Sequence, residues 1–138
     1  MDNCYATERK PFGVELLLDA NDCQGNITSK EIIQEFIDIL VKELDMKKKG
    51  ETHFEYFEDN EYNRERDIVG YSVVQIISLS NITIHINEIS KTVYLNLFTC
   101  GKLDDTKVLF LFNNFFRPMQ IKQMLCVRDA KSITATLD

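Results

Sequence analysis

Ser80, His85 and Cys100 carry the side chains most suited to chemistry in this 138-residue chain, spaced five and then fifteen residues apart. A serine hydroxyl attacks a carbonyl once it is set against one and a base takes up a proton. His85 is the one nearby side chain whose ordinary pKa, roughly 6.5, suits a base at neutral pH. A cysteine thiol can give a proton or take part in nucleophilic steps. Upstream, Ser72 adds a second hydroxyl able to hydrogen-bond a developing oxyanion. Taken one at a time these residues have plain readings, Ser80 as a strand-end serine and Cys100 as a packing thiol. Their order and surroundings decide.

The elements that must position them are legible in the pattern. Residues 12–19 predict a buried strand, followed by a turn through Asn21-Asp22-Cys23-Gln24-Gly25-Asn26. Thr28 with Glu31 predicts a capping box, and apolar residues from Ile32 to Leu44 at helical spacing predict a helix over about 29–45 that runs into the basic segment Lys47-Lys48-Lys49-Gly50. Further strands are expected over 53–57, 68–78, 81–86, 92–99 and 121–127, with a charged loop over 58–66. Asp104 or Asp105 can cap a second helix, whose broad apolar face holds Val108, Leu109, Leu111, Phe112, Phe115 and Phe116 and which Arg117-Pro118 ends. The order β-α-β-β-β-β-α-β predicts an α+β fold, a two-layer sandwich of one antiparallel sheet with two helices on one face. Residues 133–138 read as a tail.

Four tracts, in order, resemble the small prokaryotic S-adenosylmethionine decarboxylases. Ser80-Asn81-Ile82-Thr83-Ile84-His85 is similar to the family's Ser-His-Leu-(Ser/Thr)-Ile-His tract, and Phe98-Thr99-Cys100-Gly101 to its Phe-Thr-Cys-Gly tract. Gly70-Tyr71-Ser72-Val73 stands for Gly-Val-Ser-Gly, and Gly13 to Asp19 with Cys23 for the opening Gly-x-His-Leu-Leu-Leu-Asp and Gly-Cys. The resemblance implies a proenzyme that cuts itself between Leu79 and Ser80 and converts Ser80 into a pyruvoyl cofactor, with no metal. On that reading Ser80 attacks the Leu79 carbonyl, His85 removes the Cα proton of residue 80, and Ser72 assists. The pyruvoyl group would then form a Schiff base with the substrate and accept the electrons that decarboxylation releases, and Cys100 would return a proton. It further implies Phe57 as the aromatic that stacks on adenine, Glu88 as the substrate-binding carboxylate, and a homodimer with sites shared across its interface. The mature protein would comprise a beta chain, 1–79, and an alpha chain, 80–138, of a single domain spanning 1–138.

The sequence departs from the family where substrate would sit. Leu79 replaces the usual glutamate before the cut; Ile86-Asn87-Glu88-Ile89 replaces Thr-Trp-Pro-Glu, with its carboxylate one place early; Glu15 and Glu55 stand where histidine is common; and the loop between Phe57 and Gly70 is longer. These changes leave open a pyruvoyl-dependent decarboxylase of a basic amino acid such as arginine or ornithine. They also leave open an uncleaved paralogue that binds, regulates or, as a lyase, cleaves a sulfonium nucleoside. The first expectation is decarboxylation of S-adenosylmethionine for spermidine synthesis.

Composition narrows the classes further. A formal net charge of −6 sets the chain against nucleic acid, whose phosphates it would repel. No apolar run reaches the roughly 18 residues a membrane span needs, and Met1-Asp2-Asn3-Cys4 lacks a signal-peptide pattern, so a cytoplasmic protein with no membrane partner is expected. Four cysteines without a C-x-x-C pair read as free thiols, with Cys4, Cys23 and Cys126 assigned to packing or no role.

Overall fold

Alternation of apolar and polar side chains, period two, drives six segments into strands and sends every second residue to one side. The computed structural model describes residues 10–132, in which β1 (Gly13–Asn21), β2 (His53–Phe57), β3 (Gly70–Ile77), β4 (Ser80–Asn87), β5 (Thr92–Thr99) and β6 (Gln120–Arg128) form one sheet. Its order is β2-β3-β4-β5-β1-β6, and every neighbouring pair is antiparallel. Leu16, Leu18, Val73, Ile77, Ile82, Ile84, Ile86, Val93, Leu95 and Leu97 are buried on one face. The other face is open to solvent along much of its width, with Val74, Ile76 and Tyr94 exposed.

Two helices, α1 (Lys30–Glu43) and the later α3 (Asp105–Phe116), cover the apolar face. Ile33, Phe36, Ile37, Leu40 and Val41 of α1 are buried, as are Val108, Phe112 and Phe116 of α3. Phe36 packs edge-on against Phe116 with ring centroids 5.0 Å apart, a geometry that matches ring edge to ring face. Asp104 caps α3 through a bond from the Lys107 amide, and Arg117 ends it in the left-handed region before Pro118.

Three details differ from the sequence reading. The cap of α1 is Ser29, whose hydroxyl accepts the Ile32 amide at 3.2 Å, because Thr28 is turned back onto the Asn26 side chain. The charged loop contains a short helix, α2 (Glu61–Glu65), capped by Asn60 and tied by the Arg64–Asp59 ion pair. Finally, α1 stops at Glu43 and the lysine run extends beside β3, with Lys49 donating to Ile76 and Ser78 donating to Lys47. Gly70 opens β3 at φ 138, where an added Cβ would lie 2.3 Å from the Ile86 carbonyl; only glycine fits there. No helix among the described residues is long and apolar enough to cross a membrane.

Candidate active site

The turn between β3 and β4 is where the chemistry-bearing residues begin. Ile77 pairs with Ser80, so Ser78 and Leu79 alone make the connection. Leu79 sits at φ 67, a left-handed conformation that costs a residue with a Cβ about 1–2 kcal/mol, and its side chain is 65% exposed. No packing of its own compensates for that strain. The strand pairing on either side holds it.

Both groups that flank the Leu79–Ser80 bond are pinned by the end of β5 and the residue that follows it. The Cys100 amide donates to the Leu79 carbonyl at 2.9 Å, and the Ser80 hydroxyl donates to Thr99 Oγ1 at 2.7 Å. Met46 Sδ lies 3.4 Å from Ser80 Oγ, a weaker acceptor for the same single proton. Thr99 is fully buried and Ser80 nearly so, whereas Cys100 is exposed. In the sequence Thr99 is only one member of the Phe-Thr-Cys-Gly tract. Its place directly opposite Ser80 could be found only from the strand register.

A second group lies further along β4. Ser72 and His85 face each other across β3 and β4, and Ser72 Oγ is 3.0 Å from His85 Nδ1. If Nδ1–H donates to Ser72, Nε2 is left as a base and the Ser72 proton stays available to another acceptor. The five-residue step from Ser80 to His85 is odd, so the two side chains leave opposite faces of the strand. Within one chain the structure does not bring His85 onto Ser80.

The expected substrate contacts form a third group. Phe57 ends β2 opposite Gly70, and Glu88 follows β4, accepting the Tyr56 hydroxyl at 3.2 Å. Partial desolvation, and then the Glu88 carboxylate, raises the Tyr56 phenol above its ordinary value. These residues lie at the far end of β4 from Ser80, roughly 26 Å for eight residues at about 3.3 Å each.

A cleft of about 830 Å³ is lined by Phe12, Phe98, Val127, Arg128 and Lys131, among others. Phe12 stacks on Phe98 at 6.0 Å, and the Arg128 guanidinium lies over the same ring. Glu15, one of the departures from the family pattern, is clamped between Arg128 at 2.5 Å and Asn96 at 3.2 Å. Cys23 is buried, and burial followed by the Asp22 charge pushes its thiol up to about 11. Cys126 is exposed on β6, and Cys4 lies outside the described residues. Among the described residues no group of three or more histidine, cysteine or acidic side chains is placed to hold a metal ion.

Comparison with known proteins accounts for this arrangement of tracts. Residues 14–129 match the S-adenosylmethionine decarboxylase family. The chain belongs to that family. Its fold is similar to the crystal structure of the adenosylmethionine decarboxylase from Aquifex aeolicus VF5, with a TM-score of 0.73 at 18% identity over 94% of this chain and 100% of that one. No curated protein sequence matches it. At that identity the structural likeness concerns fold, while the family match extends over Ser72, Ser80, His85 and Cys100.

Proposed function

We propose that the protein is a self-processing, pyruvoyl-dependent decarboxylase whose substrate is S-adenosylmethionine. The observation that carries this reading is the clamped Leu79–Ser80 linkage, with a left-handed non-glycine residue, its carbonyl held by an amide and the neighbouring hydroxyl held by Thr99. A hydroxyl beside a strained, polarised carbonyl is what an N-to-O acyl shift requires. The residues at this turn fit a pyruvoyl group derived from Ser80. Once formed, that group supplies an electron sink for decarboxylation.

The chain's own residues then divide the remaining work. Cys100 is exposed beside the turn and holds a proton for the substrate carbon. Because His85 and Ser72 sit about 16 Å along the strand from Ser80, five residues at roughly 3.3 Å each, the base that removes the Cα proton of residue 80 comes from a second copy. Two open sheet faces meeting about a two-fold axis would lay the Ser80–Cys100 end of one protomer over the Ser72–His85 pair and Phe57 of its partner. The exposed Val74, Ile76 and Tyr94 on that face supply apolar contact area. The cleft beside Phe98 is within the size range of nucleoside-sized ligands.

Intact mass tests the reading directly. The 16.1 kDa chain should yield fragments of about 9 and 7 kDa, and Ser80→Ala should remain whole. Carbon dioxide release from S-adenosylmethionine, but not from arginine or ornithine, then fixes the substrate; the opposite pattern moves the assignment to a basic amino acid. A second reading, an uncleaved protein that binds or cleaves the nucleoside, draws on the separation of Ser80 and His85 along β4 within one protomer. Wild-type chain that stays intact after long incubation at neutral pH would select it.

A further inference from the structure

Thr99, the last residue of β5, and Cys100, the residue after it, both meet the Leu79–Ser80 bond, one through its side chain and the next through its backbone. Thr99 Oγ1 accepts the Ser80 hydroxyl at 2.7 Å and also the Gly101 amide at 2.9 Å. Those two donors, together with the stiff χ1 of a β-branched residue and complete burial, fix where the threonine oxygen lies. Ser80 has no such stiffness of its own. Its one proton goes to the oxygen at 2.7 Å in preference to Met46 Sδ at 3.4 Å, which sets its rotamer and leaves its lone pairs unshared.

We propose that Thr99 is a positioning residue for self-cleavage: it fixes the Ser80 hydroxyl while the Cys100 amide fixes the Leu79 carbonyl, so two consecutive residues hold nucleophile and electrophile together. The proposal rests on the self-cleavage reading. In the step it serves, an Oγ–C bond forms at the Leu79 carbonyl carbon and the C–N bond to Ser80 breaks. The proton lost from Oγ ends on the Ser80 nitrogen, so the shift is an isomerisation that balances without a co-reactant. Thr99 carries no charge in this step and does not itself titrate.

The test follows cleavage of the full-length chain by pulse-chase after cell-free synthesis, with intact mass as readout. Thr99→Val keeps the shape of the side chain and removes the oxygen; it should slow cleavage on the order of 100-fold, the usual effect of losing alignment by about 1 Å. Thr99→Ala, which adds no apolar bulk, should be slowed similarly. Thr99→Ser should cleave within a few-fold of wild type. The pH–rate profile of Thr99→Val should keep the wild-type shape at a lower height, since no titrating group has been removed. Cleavage of Thr99→Val at the wild-type rate would overturn the proposal, as would a Thr99→Ser chain as slow as Thr99→Val. Both outcomes leave self-cleavage itself standing, whereas wild type that never cleaves removes the reaction and the role together.

Discussion

Mixing two inactive variants should restore cleavage in one of them and not in the other. An imidazole reaches about 5 Å from its Cα, and proton transfer needs roughly 3 Å more. His85 stands about 16 Å along β4 from Ser80, so on the proposed reading it reaches the Cα proton of residue 80 from a second protomer. Ser80→Ala and His85→Ala chains should each stay whole when made alone. Made together in equal amounts and associating at random, about half of the dimers are mixed, and in each of these one site pairs an intact Ser80 with an intact His85. About half of the His85→Ala chains should therefore be cut, while Ser80→Ala chains remain whole. Tagging the two variants differently lets intact mass count each population. The reasoning is refuted if His85→Ala chains stay uncut in the mixture while wild type cleaves, or if they cleave alone.

Other expectations follow from individual side chains. Cys100→Ala keeps the backbone amide that holds Leu79, so cleavage should proceed while turnover falls on the order of 100-fold, the scale for losing a positioned proton donor; Cys126→Ala should leave turnover unchanged in the same assay. Phe57→Ala should raise KM for S-adenosylmethionine about 5- to 150-fold, since stacking of a base on an aromatic ring is worth roughly 1–3 kcal/mol, and steady-state kinetics of the processed enzyme measures it. Burial keeps Cys23 neutral in the folded chain up to about pH 11, while a thiol in the unfolded chain titrates at its ordinary value of 9.0. The unfolded thiol loses its proton first, so this group's contribution makes stability fall as pH rises from about 9 towards 11. Denaturant melts of wild type and Cys23→Ala across that range should show a steeper alkaline loss for wild type.

Local patterns with strong physical causes were legible before the fold was known. β2 and β5 occupy the expected residues, and Asp104 and Arg117-Pro118 bound α3 as read, because alternation, a capping carboxylate and a proline act within a few residues. The short α2 was hidden because its five polar and charged residues bury only Asn63, and its ends depend on the Asn60 cap and the Arg64–Asp59 pair. The α1 cap moved by one residue because Ser29 and Thr28 are both competent and only the turn at Asn26 decides between them. For the site, the four tracts were visible but their assembly was not. The odd interval between Ser80 and His85 is a sign of opposite faces that the sequence itself carries. Thr99 opposite Ser80, Asn96 against Glu15, and Arg128 beside Phe98 depend on which strands become neighbours, which pattern alone does not determine.

The strand order has a consequence for what cleavage would leave behind. A cut after Leu79 gives one piece with β1, β2 and β3 and another with β4, β5 and β6, yet β1 lies between β5 and β6. The two pieces would be interlaced at three strand boundaries, β3 to β4, β5 to β1 and β1 to β6. They could not part without dismantling the middle of the sheet, so the nicked molecule would persist as one body without any covalent link. The same interlacing gives maturation a direction in time. An intact chain brings all six strands together in a unimolecular process, but pieces separated by denaturant would have to find each other and thread β1 back into its slot, a concentration-dependent step. Folding must come first, and the cut afterwards makes the folded state hard to regain once lost.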